Sequence, residues 1–575
     1  MSIEKLQSSK IEKTIDESSS INEEEDVFIQ VFKNHLPESD VLVEVETIVS
    51  ENHLEDYREL LTRGALLANS PEILNSSEKY TPEERRSIER ETTHPILSLS
   101  FNMILAALTT SFAAVNFGMD ESAVGGAQSL FEAQFGITNS NVQGAVIASP
   151  YLAAAIVGCP ATVVLSKYWG RRYVILLSCF IGFTGSLWQA FSNGITAMVI
   201  GRVYLGVGMG LNSATVPVYT AESSPAVSRG AVLMLWQTFI AFGVCLGSVF
   251  NRAFVGLSGS LSWRLMIGSS CVPPLICGAL VLFPPESPRW LISKGSVRES
   301  FEALLKLRTS DISGARDFYI LYESLKFENE LAEQRTFRQQ FVELFTVTRN
   351  RFAVWVSFLG VFGQQYGGVN ILVSYTTTIL INAGIDSVTA ISGSIGIGGG
   401  CFVATFLSSQ LIDRYGRRKM LLYTLPVEGI CLFWLGGILN VENNTSRLAA
   451  GLTAMYIYVF FYGWGIGPVS FTLVAETPSI TVRAAHSAVL MATNWLLDFT
   501  LSMTWPQMDK TMTTSGGLYF YGAWNFVLVI LVFFYVPETK QYTLEELDEI
   551  FKEGAYSHFQ KKLKVLKGSK KSNYN

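Results

Sequence analysis

Residues 165–187 read LSKYWGRRYVILLSCFIGFTGSL, and residues 412–430 read IDRYGRRKMLLYTLPVEGI. In each, a glycine and two arginines form a short basic turn that delivers the chain into an apolar run. Two further pairs keep step: YTAESSPAVSRG (219–230) is answered by LVAETPSITVRA (473–484), and PESPRW (285–290) by PETK (537–540). Gly170 and Gly416 are 246 positions apart, Glu222 and Glu476 254, and Glu286 and Glu538 252. One unit is therefore used twice in the same direction.

The apolar runs support this. The 575 residues are 49% hydrophobic and 16% charged, with a mean hydropathy of +0.29, whereas soluble domains carry about 25% charged residues. A spanning helix needs about 20 mainly apolar residues. Twelve runs qualify: 98–118, 142–165, 173–192, 196–216, 230–250, 265–284, 352–380, 388–412, 420–439, 451–475, 484–505 and 517–536. Lys167, Arg171 and Arg172, the group Arg414, Arg417, Arg418 and Lys419, and the long segment 286–351 all fall on one side of the membrane. Alternate loops are poor in Lys and Arg, so both termini are expected in the cytoplasm.

The expected organisation is a largely disordered cytoplasmic tail over residues 1–95, whose start, MSIEKLQSSKIEKTIDESSS, is too polar for a secretory leader. A six-helix bundle (96–285), a linker (286–351), a second six-helix bundle (352–536) and a cytoplasmic tail (537–575) follow. In the linker FEALLKLR and ESLKFENELAEQ read as short amphipathic helices with solvated charged faces. The net charge of −6 belongs to the polar ends, so nucleic acid is not an expected partner. The seven cysteines fall in apolar runs and read as packing residues, and the five histidines are scattered without metal-ligand spacing. GIGGG (396–400) lies inside a span and reads as helix packing, not a phosphate loop. No catalytic triad, metal site or cofactor motif is expected, which disfavours an enzyme.

Polar side chains at membrane depth face other helices or a wet cavity. Gln237, Gln364, Gln365, Asn370 and Asn494 fall there, three of them in GQQYGGVN (363–370), where Gly363, Gly367 and Gly368 loosen the same turn. Single amides often only join helices; three on a broken turn suit a neutral ligand with many hydroxyls, since an amide both donates and accepts. Tyr366, Tyr375, Phe471 and Trp495 can lie against the C–H face of a ring or simply pack. Charges inside spans cost at least about 2.5 kcal/mol at the bilayer centre. Asp120, Arg202, Glu428 and Asp498 are such charges. An acid near an arginine can serve proton coupling or a static ion pair.

The motifs GRVYLGVGMG, YTAESSPAVSRG, PESPRW, QQYGGVN, DRYGRRK, the NW pair at 494–495 and PETKQYTLEELDEIF resemble the sugar porter branch of the major facilitator superfamily over residues 95–552. MDESAVGGAQSLFEAQFGI is most similar to fungal members, among them myo-inositol transporters. The resemblance implies an all-α fold of twelve transmembrane helices in two six-helix halves. It implies that Gln237, Gln364, Gln365, Asn370 and Asn494 hydrogen-bond a sugar or polyol and that Trp495 lines the site. Tyr375, Phe471 and Asp498 join them as candidate contacts, while Asp120 with Arg202 marks proton coupling. Arg171, Arg172, Glu222, Arg229, Glu286, Arg289, Asp413, Arg417, Arg418, Glu476, Arg483 and Glu538 match a cytoplasmic charge network that gates the outward-open state. Departures occur at Ser166, Ser374, Cys401, Gly463, Phe471 and Asp498, which alters the expected hexose fit.

The expectation is a monomeric plasma-membrane importer, with a vacuolar or other internal membrane as the alternative. It carries a polyhydroxylated solute, myo-inositol first, by proton symport with alternating access, with the proton as coupling ion and no cofactor. Hexose or linear-polyol symport or facilitation is the alternative, and a non-transporting nutrient sensor the second. Asn443 and Asn444 lie in NNTS, an acceptor sequence for N-glycosylation in a loop placed outside.

Overall fold

A computed structural model of the chain describes residues 36–76, 79–332, 337–479, 482–540 and 544–566. Two compact units emerge, one from Met1–Ser100 with Leu291–Thr336 and the other from Phe101–Trp290 with Phe337–Asn575.

The second unit holds the membrane spans. Among the described residues ten helices are long and apolar enough to cross a membrane. Six make up the first half: Phe101–Phe135, Ser140–Trp169, Arg171–Ala190, Ile195–Ser223, Arg229–Phe254 and Leu261–Leu280. In the second half Ser387–Tyr415 is span 8, Arg417–Ile438 span 9 and Asn444–Glu476 span 10. Spans 11 and 12 run together as Arg483–Tyr535, with non-helical backbone at Thr513 (φ 65°, ψ 160°). The loop expected near 506–516 is thus a tight reversal at Thr513, which brings the Trp505 and Tyr521 rings of the two spans to 6.2 Å. Span 7 is split into Thr348–Tyr366 and Val369–Asn382, and neither piece qualifies alone. Counting it, and counting spans 11 and 12 separately, gives the twelve crossings.

The halves meet where backbones touch. A Cβ on Gly125 of span 1 would sit 2.6 Å from the Ser374 carbonyl oxygen of span 7. Gly144 of span 2 abuts Met503 of span 11 in the same way, and Gly398 of span 8 abuts Cys245 of span 5. Gly125 and Gly144 lie toward the ends of their spans remote from the basic turns, so these contacts close the outer side of the seam between the halves.

The first unit corrects the expectation of a largely disordered tail. Helices α1 (Glu38–Glu51), α2 (Arg58–Asn69) and α3 (Pro82–Thr93) fold with α4 (Val297–Leu307) and α5 (Asp311–Ala332) of the linker. Val41, Val45, Ile48 and Val49 recur at helical spacing and are no more than 3% exposed. They cluster with Leu61 and Ala65 of α2, Phe301 and Leu304 of α4 and Phe318 of α5. Thr81 starts α3 with a capping box, its hydroxyl accepting from the Glu84 N–H while the Glu84 carboxylate accepts from the Thr81 N–H. The tail looks too polar to fold because its apolar stripe is completed by residues more than 200 positions away. Residues 1–35 lie outside the described residues.

The linker charges are likewise not all solvated. Arg308 is 7% exposed and pairs with Asp317 at 2.6 Å, which also meets Arg316 at 2.8 Å; Arg316 reaches Glu91 of α3 at 3.3 Å. Burial opposes ionisation of Asp317, but Arg308 and Arg316 outweigh it and hold the carboxyl below its ordinary pKa. A depressed pKa contributes stability that is complete above the unfolded value of about 3.9 and is lost as pH falls through the folded one. At cytosolic pH the contribution is therefore intact. Asp317→Asn leaves two arginines short of an acceptor, at an expected cost on the order of 2 kcal/mol to this unit. Limited proteolysis of membranes should show faster cleavage within 291–332 in the variant and an equal rate in the spans.

Candidate functional site

The break in GQQYGGVN has a local cause. The helix ends at Tyr366, Gly368 adopts φ 103°, open only to glycine without strain, and a new helix starts at Val369. The carbonyl left free at Gly367 accepts from the Tyr458 hydroxyl at 2.8 Å and the Asn525 amide at 2.9 Å, which fixes the break in place. Around it the amides form a chain. Asn370 Nδ2 donates to Gln365 Oε1 at 2.6 Å, and Gln365 Nε2 donates to Asn494 Oδ1 of span 11 at 3.0 Å. Gln364 Oε1 accepts from Ser470 of span 10 at 2.8 Å. Asn370 also lies beside Asp498, whose carboxylate accepts from Ser502 at 3.4 Å. Four of the expected contacts, Gln365, Asn370, Asn494 and Asp498, are thus brought together on one half, with Gln364 turned toward span 10.

The other half supplies the facing wall. Trp495 stacks on Tyr151 of span 2 (ring centroids 5.8 Å, 8°), meets Phe117 of span 1 at 4.8 Å and donates to Ser213 of span 4 at 3.0 Å. Gln237 of span 5 is 6% exposed, and its carbonyl oxygen has no hydrogen-bond partner. The Tyr375 hydroxyl donates to the Ser502 carbonyl at 2.9 Å, which joins span 7 to span 11. Phe471 is half-buried on the last part of span 10. Tyr151, Phe117 and Ser213 were not singled out from sequence, because aromatic and hydroxyl residues in an apolar helix carry no distinguishing pattern.

Glu121 was also missed, although an acid next to Asp120 within a span was a signal. It is half-buried, accepts from Ser374 at 3.3 Å and lies close enough to Asp498 for their charges to interact. Asp120 itself is 3% exposed and stands 3.9 Å from Arg202, with Oδ1 lacking a hydrogen-bond partner. Arg202 is held mainly by others: Nε donates to the Val146 carbonyl at 2.6 Å, one terminal nitrogen to Ile147 at 3.0 Å and the other to Gln189 at 3.2 Å.

At the basic end the repeat becomes geometry. Arg171 pairs with Glu222 at 2.9 Å, and Arg417 with Glu476 at 2.7 Å. The Glu286 carboxylate accepts from the backbone N–H groups of Arg171, Arg172 and Ser287, while Glu538 accepts from those of Arg417, Thr539 and Lys540. Burial pushes the Glu286 carboxyl up, and these N–H groups pull it back part of the way. Gly170 (φ 86°) and Gly416 (φ 89°) turn the chain so close that a Cβ would lie 2.5 Å and 2.6 Å from the two glutamate carboxylates. Arg172 and Arg418 cap the ends of spans 6 and 12, donating to the Leu282 and Phe533 carbonyls at 2.7 and 2.8 Å. Each of these pairs lies within its own half. Arg229, Arg289 and Arg483 make further polar interactions, and the Asp413 side chain lies outside the described residues. Asn443 and Asn444 are exposed, with Asn443 capping span 10 by accepting from the Ser446 N–H at 3.1 Å.

Twelve crossings in two repeated halves, with a polar cluster between them and matched charge sites at one end, define a membrane transporter of the major facilitator fold. The sugar (and other) transporter family matches residues 105–551, and the chain belongs to that family. It is a multi-pass membrane protein and a transporter, not an enzyme. Among similar proteins, the probable polyol transporter 6 of Arabidopsis thaliana is 30% identical over 77% of this chain and 93% of its own length. The arabinose-proton symporter of Escherichia coli K12 is 28% identical over 83% and 96%. Two solved structures share the fold at 24% identity and a TM-score of 0.66. The proton:xylose symporter XylE bound to 6-bromo-6-deoxy-D-glucose is matched over 78% of this chain and 99% of its own. The partially occluded inward-open XylE from E. coli is matched over 77% and 100%.

Proposed function

We propose that the protein imports a neutral polyhydroxylated ring compound together with a proton across the plasma membrane, by rocking of its two halves, with myo-inositol the first candidate. The observation that carries this is the amide chain from Asn370 through Gln365 to Asn494 beside Asp498, set at the break of span 7, with Trp495 of the same half packed on Tyr151 and Phe117 of the other. Such a row of donors and acceptors can exchange its internal hydrogen bonds for those of ring hydroxyls, while an aromatic wall covers the C–H face. Names among the relatives, polyol transporter and arabinose-proton symporter, support a polyol or sugar and a coupled proton. Preference for a cyclitol over a hexose rests on Ser374, Cys401 and Asp498, which alter the pocket, and on the resemblance to fungal inositol carriers. Uptake of labelled myo-inositol in competition with glucose, fructose and sorbitol tests it: unlabelled inositol should compete best, and glucose winning outright overturns the choice. Flux into reconstituted vesicles separates a carrier from a sensor, since a sensor leaves the vesicle interior empty of label.

A further inference from the structure

Outside the seam closed by Gly125 and Gly144 lies a cavity of about 390 Å³ that Tyr375 lines but none of the amides Gln364, Gln365, Asn370 and Asn494 reaches. Its walls come from both halves: Gln128 and Glu132 of span 1 and Gln143 of span 2 on one side, Asn382 of span 7 and Trp505 and Asp509 of span 11 on the other. Each of these residues stands beyond the seam contacts toward the outer end of its helix, Gln143 by a single position. Gln128 and Gln143 donate to the two oxygens of Glu132 at 2.8 and 3.0 Å, which fixes that carboxylate as an acceptor. The Gln128 side chain is 2% exposed and donates to Glu132, so it orients that carboxylate from behind the wall. The Gln143 and Asn382 amides, the Glu132 and Asp509 carboxylates and Trp505, with no Lys or Arg in the wall, match a neutral compound with several hydroxyls. The volume falls within the range of small-molecule sites, about 300–1,000 Å³. A metal ion fits less well, since no group of three His, Cys, Asp or Glu suited to one occurs among the described residues.

We propose that this cavity is an external vestibular site for the same class of polyhydroxylated solute, and that occupancy there holds the outer seam shut. The second part follows from the first. A ligand touching both halves outside the seam binds best when the halves are together, so it shifts the population toward the outward-closed state. It therefore acts as a brake on import at high external solute. The proposal rests on the polyol reading above.

The test is uptake by the full chain in reconstituted vesicles, inside-in orientation selected, over external myo-inositol from well below to far above KM. Wild type should fall about two-fold or more beneath the hyperbola at the highest concentrations, the size expected when the closed state becomes half-populated or more. Gln143→Leu and Asp509→Asn should restore the hyperbola with KM at low concentration unchanged, which also shows that the variants are folded. A wild-type curve that stays hyperbolic to the solubility limit, or variants that bend as wild type does, overturns the site. Inhibition by external Ca²⁺ that disappears in Glu132→Gln, with the solute curve unaffected, assigns the cavity to a cation and also overturns it. Failure of the polyol reading itself looks different: no labelled polyol or sugar enters at any concentration.

Discussion

Replacing Asp120 by Asn is expected to abolish uphill accumulation of the carried solute while exchange across the membrane persists. The argument turns on how Arg202 is held. Its guanidinium already donates to the Val146 and Ile147 carbonyls and to Gln189, whereas Asp120 stands 3.9 Å away with one oxygen lacking a hydrogen-bond partner. A proton can therefore arrive on Asp120 without stripping the arginine of its acceptors. An ion pair locked by two short hydrogen bonds would resist that change, since breaking a buried pair costs about 3–5 kcal/mol. Asparagine mimics the protonated form and cannot release it. One pH unit is worth about 1.4 kcal/mol, so one proton per solute supports about tenfold accumulation. Vesicles under such a gradient should show that ratio for wild type and a ratio near one for the variant, with counterflow of labelled solute preserved. If the variant still concentrates solute, the proton travels by another acid, and Glu121 and Asp498 are the groups to exchange next.

How far the sequence could be read depended on whether the decisive partner lay nearby. The twelve spans are local runs, and the two halves announce themselves through motifs repeated at 246 to 254 positions. The break of span 7 was legible because its cause, Gly367 and Gly368 beside three amides, is contained in eight residues. Glu286 and Glu538 were legible as members of the charge network, but their role as acceptors for the turns at Gly170 and Gly416 emerges only in three dimensions. The tail over 36–93 was misread for the same reason: the hydrophobic partners of Val41 and Val45 belong to the linker. Within the site, an amide in an apolar span stands out, while Tyr151 and Phe117 look like any core aromatic until Trp495 is found against them.

Gln365→Ala should have the largest effect of any single amide exchange, raising KM for the carried solute about 10- to 100-fold, the equivalent of roughly 1.5–3 kcal/mol for two hydrogen-bonding positions. Gln365 is the central member of the chain, linking Asn370 across the break of its own span and Asn494 on span 11. Its removal leaves the donor of one neighbour and the acceptor of the other unsatisfied at sites 6% exposed or part-buried, and lets the two spans lose register. Gln364, one position earlier, points elsewhere on the helix and is hydrogen-bonded to Ser470 of span 10. Gln364→Ala should therefore raise KM by the smaller factor. Initial rates of labelled uptake at several concentrations give both constants, with surface quantity measured to normalise the maximal rate. The ordering carries the argument more than either magnitude does. If both exchanges weaken uptake equally, the amides act independently on the solute; if Gln364→Ala is the more severe, the ligand sits toward span 10, and the Asn370–Gln365–Asn494 chain is scaffold. An effect confined to the maximal rate, with KM unchanged, places Gln365 in the rocking of the halves and not in recognition, because a contact made equally throughout the cycle changes affinity before it changes turnover.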